Sequence, residues 1–195
     1  CDKVRGYSLT PNYKASFAIK NEDSPEIIFA IPYDHKQGTV GNYLASMTYH
    51  YNQKEAFDPA GKYQWCGNGI CAQPGVYSSF EANDVRRNCL LIGQQYNAAT
   101  GAPVLMANGE PLNYTEAIQD FTNALQNEGA RLDKYEWSAN DQWERDNDWV
   151  LMRYAEVLMM QAEANYRLGY MQNALTYINQ IRKGAGLADL TSFDE

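Results

Sequence analysis

Positive charge is scarce in this sequence, which has 16 Lys and Arg residues against 24 Asp and Glu and a formal net charge of −8. A protein that binds nucleic acid neutralises phosphate groups with a basic surface. The charge balance therefore argues against a nucleic-acid partner. Long hydrophobic runs are lacking too, because the longest, residues 27–32, is far shorter than the roughly 18 residues of a membrane-spanning helix.

Cysteine and histidine are also few, with four and two residues. Scattered cysteines in this number do not make a disulfide framework, although Cys66 and Cys71 lie close enough in the sequence to pair across a short loop. His35 and His50 have no second metal ligand at helical spacing, and neither has a Ser or Cys partner in a recognisable nucleophile motif. We therefore expect no metal, no cofactor and no catalytic residue.

Aromatic residues, in contrast, are abundant, with 15 Tyr and 4 Trp. Many of them fall in residues 34–73, a stretch rich in Gly, Asn and Gln that has no helical or strand periodicity. A loop of this length is usually either a functional surface or disordered. Its aromatic content argues against disorder, and an aromatic surface without excess basic charge suits neutral polar ligands.

Residues 1–146 are predicted to be irregular and loop-rich, with a few short regular elements. Residues 26–33 are predicted to form a buried strand, because this run is short, β-branched and closed by a proline. The dipeptide Asn108-Gly109 is the strongest hairpin signal in the chain. A helix is also predicted at residues 116–128.

Residues 147–190 are predicted to form a tetratricopeptide-like pair of packed helices, since apolar and small residues recur there at spacings of three and four. Asp146 or Asp148 can cap the first helix, Trp149 is expected to begin it and pack, and Gly169 is expected to end it. Four residues in this region have the spacing of a tetratricopeptide unit. They are Ala162, Tyr166, Gly169 and Ala174. One such pair cannot bury both its faces, so it needs packing partners elsewhere in the fold or in further sequence.

The two ends of the chain have the character of internal sequence. The chain begins at Cys1 without a start methionine. It stops at residues 191–195, where Thr or Ser would cap a new helix and the acidic residues would favour its first turn. We therefore expect a fragment of a longer protein that lacks both ends.

The helix pair carries a specific sequence pattern. Residues 153–164 read Arg-Tyr-Ala-Glu-Val-Leu-Met-Met-Gln-Ala-Glu-Ala, and residues 177–187 read Tyr-Ile-Asn-Gln-Ile-Arg-Lys-Gly-Ala-Gly-Leu. This pattern closely resembles the SusD/RagB family, whose helices carry R-Y-A-E-V-L-L-M-x-A-E-A and A-x-x-x-I-N-x-I-R-x-R-A-G-L. The sequence departs from the family at Lys183-Gly184. Upstream, residues 26–29 resemble the family's E-I-I-F strand.

The resemblance implies a mostly α-helical, SusD-like fold with tetratricopeptide-type helix pairs, an irregular loop-rich region that forms the ligand face, and a few short strands. It also implies a surface-exposed lipoprotein of the Bacteroidota outer membrane. Such proteins bind an extracellular oligosaccharide or polysaccharide without a chemical step and deliver it to a SusC-type TonB-dependent transporter. Because Cys1 precedes sequence that aligns with the middle of family members, we place the lipid anchor outside this fragment.

Under this resemblance, the aromatic stretch is the expected glycan-binding region. Neutral sugars stack their C–H faces on aromatic rings and form hydrogen bonds with amide side chains. The candidate glycan-binding residues are Trp65, Tyr51, Tyr49, Tyr43, Tyr63 and Asn68. Trp65 is the strongest candidate, because neighbouring glycines keep it near a loop tip. The alternative is that these aromatics pack the irregular region against the helices.

Two other functions remain open at this stage. A tetratricopeptide-type scaffold that binds only proteins would bury the aromatic residues between positions 43 and 77. A glycoside hydrolase needs only two correctly separated carboxylates, and carboxylates are abundant here.

Overall fold

The regular elements of the chain are short except at its C-terminal end. The computed structural model describes residues 1, 3–38, 41–58, 60, 65–137 and 145–193. The helices are α1 (Leu44–Thr48), α2 (Lys54–Phe57), α3 (Tyr154–Arg167) and α4 (Met171–Gly184). The strands are β1 (Ile27–Ile31), β2 (Leu90–Leu91), β3 (Gly93–Gln94), β4 (Asn113–Tyr114), β5 (Arg131–Leu132) and β6 (Trp149–Arg153). The expected combination of a helix pair, irregular chain and a few short strands is confirmed.

Helices α3 and α4 pack against each other as a hairpin. Their contact surface buries Val157, Leu158 and Ala162 of α3 together with Ala174 and Leu175 of α4. The small alanines allow the two backbones to approach closely. The turn between the helices has Gly169 at φ +81, a left-handed conformation that an L-residue adopts only with strain.

The start of the first long helix differs from the sequence prediction. Residues 149–153 form strand β6, which pairs antiparallel with β1 so that Ile31 lies opposite Trp149. The helix therefore begins at Tyr154 and not near residue 147. Asp148 does not cap it, because its Oδ1 accepts a hydrogen bond from the backbone N–H of Tyr33 at 3.0 Å. Strand pairing with β1 thus overrides the helical periodicity of these residues.

The irregular region has its own small core, in which Val104, Leu112 and Tyr114 are buried together. The predicted turn at Asn108-Gly109 is present, with Gly109 at φ +84. The predicted helix at 116–128 is wrong, since these residues form turns and bends. Asp120 accepts a hydrogen bond from the backbone N–H of Thr122 at 2.8 Å, and such local bonds compete with the helical ones.

All four cysteines are free thiols, so Cys66 and Cys71 do not pair. Within the described ranges, none of the helices is both long enough and apolar enough to cross a lipid bilayer.

Candidate functional site

The loop of residues 65–70 is held against helix α1 by backbone hydrogen bonds. The N–H of Gly67 donates to the carbonyl of Ser46 at 2.7 Å, and the N–H of Gly69 donates to that of Met47 at 2.7 Å. Asn68 donates to the carbonyl of Tyr49 at 2.8 Å. This pairing brings residues from both ends of the aromatic stretch to one region of the surface.

Gly67 and Asn68 shape this loop. A Cβ atom at Gly67 would lie 2.5 Å from Cη2 of Trp65, so the indole ring lies directly over the glycine backbone. Asn68 has φ +48, a left-handed conformation that asparagine tolerates better than most residues. Its Oδ1 is buried and has no hydrogen-bond partner.

Three of the predicted aromatic residues are exposed on this surface. Tyr43, Tyr51 and Trp65 have exposed fractions of 44%, 50% and 39%. Other aromatic rings of the chain are exposed as well, for example Phe29 and Tyr96 at 59% and 56%. Asn68 is half-buried, and Tyr63 lies outside the described residues.

Tyr49, a predicted contact, belongs instead to the core. Its side chain is fully buried against Phe57 and Cys66. Its hydroxyl donates to Oδ1 of Asp133 at 2.5 Å. Burial and the Asp133 carboxylate raise the pKa of Tyr49 well above its usual value. The packing alternative is therefore the right interpretation for Tyr49, because this ring has no face open to a ligand.

Tyr43 lines a groove of about 350 Å³ between α1 and the β1–β6 pair, called here the Tyr43 groove. Its volume falls within the range of small-molecule sites. Its wall is largely aromatic and aliphatic, and it comprises Ile31, Tyr33, Gly41, Asn42, Tyr43, Leu44, Met47, Ile70 and Trp149. Trp65 and Tyr51 lie outside this wall, so the structure does not gather all the predicted aromatics at one groove.

Asn42 contributes an unpaired donor to the Tyr43 groove. Its backbone exchanges two hydrogen bonds with that of Arg145, at 2.7 and 3.1 Å, which fixes its position. Its side-chain Oδ1 accepts from the N–H of Leu44 at 3.2 Å. Nδ2 is consequently directed away from Leu44, and it is buried without a partner. An unpaired buried donor is unfavourable, and Asn42 lies in the wall of the groove.

Tyr43 is the only predicted ligand contact among the described residues that line this groove, and the groove's two other aromatic residues, Tyr33 and Trp149, were not predicted. Trp149 was expected to pack at the start of a helix, but its place in β6 opposite Ile31 turns it toward the groove. Tyr33 follows β1 directly. Knowledge that β1 pairs with β6 would have indicated both residues as groove residues. The sequence patterns do not reveal which strands pair.

The described cysteines and histidines form no metal site, and Cys66 and His50 are buried. No three His, Cys, Asp or Glu side chains in the described part of the chain are grouped so as to hold a metal ion. Burial raises the pKa of the Cys66 thiol to about 11, which keeps it protonated and unreactive at neutral pH. His50 is buried, and its Nδ1 accepts from the N–H of Asn52 at 3.1 Å.

Comparison with solved structures gives matches along almost the whole chain. Surface glycan-binding protein A from Bacteroides uniformis is 20% identical with a TM-score of 0.68, and the match covers 99% of this chain and 37% of that one. A SusD superfamily protein from Parabacteroides distasonis is 18% identical with a TM-score of 0.64, over 97% and 37% of the two chains. Surface glycan-binding protein A from Bacteroides thetaiotaomicron, in complex with laminarihexaose, is 25% identical with a TM-score of 0.57, over 99% and 42%.

These matches confirm the SusD-like fold, and the chain spans well under half the length of the three solved structures. A comparison with curated proteins gives no match. The family model described as the SusD family matches residues 25–194, which is most of the sequence. The chain therefore belongs to the SusD family.

Proposed function

We propose that this protein binds an extracellular oligosaccharide or polysaccharide at the bacterial outer membrane and delivers it to a SusC-type TonB-dependent transporter. It acts without a chemical step, and a lipid anchor outside the present chain attaches it to the membrane. Family membership supports this proposal, as does the laminarihexaose complex of the similar Bacteroides thetaiotaomicron protein.

The observation that carries the proposal is the Tyr43 groove with its unpaired amide. Aromatic walls and a small number of fixed polar groups are the usual composition of a small-molecule site. Tyr33, Tyr43 and Trp149 provide ring surface for the apolar face of a sugar. Asn42 Nδ2 provides a donor for a sugar oxygen. The rings of Tyr51 and Trp65 are exposed outside the groove and could contact further units of a longer glycan.

The composition of the groove argues against hydrolysis there. A glycoside hydrolase places two carboxyl groups on opposite sides of the scissile bond. None of the described residues that line the Tyr43 groove is Asp or Glu. The groove is therefore suited to holding a sugar and not to cleaving it.

The exposure of the aromatics also argues against a scaffold that binds only proteins. That alternative requires the aromatic stretch to be buried, whereas Tyr43, Tyr51 and Trp65 are exposed.

Isothermal titration calorimetry of the full-length protein against a panel of neutral polysaccharides tests the proposal. We expect binding to at least one of them, weakened about fivefold or more by Tyr43→Ala, because loss of a stacking ring costs on the order of 1–3 kcal/mol where aromatic side chains stack on nucleic-acid bases. Asn42→Ala should weaken binding less, because it removes a binding free energy of about one hydrogen bond. Tyr51→Ala combined with Trp65→Ala should weaken the binding of long glycans more than that of short ones.

Tyr170→Ala is the matched control, since this tyrosine is 60% exposed in the turn between α3 and α4. Its loss should leave the calorimetric isotherm unchanged. No binding to any glycan, or binding unaffected by Tyr43→Ala, would contradict the site. Release of new reducing ends on incubation would contradict the absence of a chemical step.

A further inference from the structure

A second groove of about 550 Å³ lies between α2, the 3₁₀ turn Tyr13–Phe17 and the chain after β5, and is called here the Trp137 groove. It shares no lining residue with the Tyr43 groove. The side chains that give it chemical character are Gln53, Phe57, Gln95, Asp133, Glu136 and Trp137. It combines aromatic wall with amide and carboxylate groups.

Gln53 lines this groove and carries an unpaired side-chain acceptor. Its side chain is 2% exposed, and its Nε2 donates to Oε1 of Gln95 at 3.0 Å. The orientation of Gln95 is fixed in turn, because its Nε2 donates to the carbonyl of Gly93 at 3.0 Å. Oε1 of Gln53 therefore cannot exchange places with Nε2, and it is buried with no hydrogen-bond partner.

The position of Gln53 in the chain makes the lack of a partner for its Oε1 unexpected. Gln53 precedes helix α2 at the position where a side chain often caps the helix, yet it makes no such bond. A buried acceptor without a partner is unfavourable by about 1–3 kcal/mol. A donor from a bound molecule would remove this penalty.

The remaining polar groups at the groove also accept hydrogen bonds. Asp133 accepts from the hydroxyl of Tyr49, and its other oxygen lies 3.0 Å from Nζ of Lys14. This ion pair neutralises the Asp133 charge. Glu136 uses Oε2 to accept from the backbone N–H of Ile19 at 2.9 Å, which fixes its carboxylate at the rim. The second oxygen of Glu136, together with Gln53 Oε1, therefore offers acceptors to a ligand that carries donor groups.

The aromatic wall of the groove is formed by Phe57 and Trp137, whose ring centroids lie 4.6 Å apart. A ligand that fits must bring several hydroxyl donors on one edge and an apolar face on another. A neutral sugar ring has both features.

We propose that the Trp137 groove is a second binding site, which takes a neutral sugar unit through Gln53 Oε1 and the ring of Trp137. The site adds to the proposed function and rests on the geometry of its own groove. A protein with two such grooves holds a branched or long glycan at two separate points, which raises its avidity without new contacts at either one.

Fluorine NMR of the full-length protein labelled with 5-fluorotryptophan tests this proposal, because Trp137 and Trp149 report on different grooves. Single Trp→Phe variants assign the resonances. The probes are laminarihexaose, D-glucose, D-galactose and D-mannose. We expect at least one probe to shift the Trp137 resonance. The sugar concentration at the midpoint of this shift should rise about fivefold or more in Gln53→Met, which is the loss of affinity expected for one hydrogen bond.

Two further variants distinguish loss of the site from loss of the fold. Gln73→Met makes the same replacement at an exposed glutamine and should leave the titration unchanged. Ala15→Phe fills the Trp137 groove from its exposed rim and should abolish the Trp137 shift without disturbing the core. In each variant, an unchanged Trp149 resonance before sugar is added shows that the protein is folded.

The outcomes separate this proposal from the Tyr43 groove. A Trp137 shift that survives Tyr43→Ala and is weakened by both Gln53→Met and Ala15→Phe supports a second site. A Trp137 resonance that no probe moves, or whose shift survives both of those variants, overturns it. A Trp137 shift lost in Tyr43→Ala also overturns it, because a single site then accounts for both signals. A Trp149 resonance that no sugar moves counts against the Tyr43 groove alone.

Discussion

Arg153 and Glu26 form an ion pair at 2.6 Å that is mostly enclosed, with the Glu26 side chain 3% exposed. Glu26 also accepts hydrogen bonds from the N–H and hydroxyl of Thr10, at 3.1 and 2.8 Å. Arg153→Met leaves this carboxylate without its cation, and breaking a buried pair in this way destabilises a protein by about 3 kcal/mol. Urea denaturation should show a loss of that order in the free energy of unfolding.

Arg167→Met is the matched control for that substitution. Arg167 pairs with Glu163 at the same 2.6 Å, but both side chains are largely in solvent. Exposed pairs of this kind contribute less than about 1 kcal/mol. Equal losses in the two variants would show that the enclosure of Glu26 has no energetic consequence.

His50 should make the stability of the protein depend on pH. Burial lowers the pKa of His50 below its usual value, and the N–H of Asn52 directed at Nδ1 opposes protonation there. The unfolded chain then binds the proton more readily, so the stabilising contribution is complete above the unfolded pKa of about 6.5 and is lost as the pH falls. Unfolding free energy measured from pH 7 to pH 5 should fall less steeply in His50→Gln than in the parent protein. Identical slopes would contradict the assignment.

At the scale of elements, local sequence predicted those parts of the fold whose stability is local. The α3–α4 pair follows from apolar spacing and from Gly169. The apolar run predicted β1 as well, but β1 is not buried as expected, since Phe29 is 59% exposed, and its pairing partner is distant in the sequence. The interval 149–153 shows the limit of this reasoning. Its spacing continues the helical pattern of α3, and only the distant partner β1 makes it a strand.

Two glycines of the helical hairpin should respond to alanine in opposite directions. Gly184 ends α4 with an ordinary backbone and nothing within 4 Å of an added Cβ, so Gly184→Ala should stabilise the protein by about 0.5–1 kcal/mol. An added Cβ at Gly169 would also meet no atom within 4 Å, but the φ of Gly169 is +81. Gly169→Ala should therefore destabilise the protein by about 1 kcal/mol. Thermal unfolding of the two variants measures this difference. A shift of the same sign in both would mean that the backbone conformation at Gly169 has no influence.

For the whole molecule, composition indicated the region of the candidate site but not its geometry. The aromatic stretch places Tyr43, Tyr51 and Trp65 at the surface. It also supplied Tyr49 to the core, where its ring packs on Phe57 and Cys66. Tyr33 and Trp149 reach the Tyr43 groove through strand pairing, which no local pattern encodes.

The outer side of the hairpin is a further property of the whole molecule. A largely apolar groove of about 450 Å³ lies along α3 and is lined in part by Met159, Met160 and Tyr166. Contiguous exposed apolar surface binds hydrophobic dyes and promotes association. Met160→Lys should therefore lower the fluorescence of 8-anilinonaphthalene-1-sulfonate bound to this chain. Leu168→Lys, in the turn after α3 and outside the groove, should have a smaller effect, and an equal effect would place the dye elsewhere.

The pairing of β1 with β6 has a consequence for how the chain acquires its structure. Glu26 and Arg153, which flank this pairing, are 127 residues apart in the sequence. Contacts at such separation form late, because closing a long loop reduces chain entropy before the contacts compensate for it. During synthesis the Ile-Ile-Phe-Ala-Ile segment therefore emerges with no partner until β6 has been made. In that interval it is an open apolar strand edge, the kind of segment that chaperones must shield from aggregation.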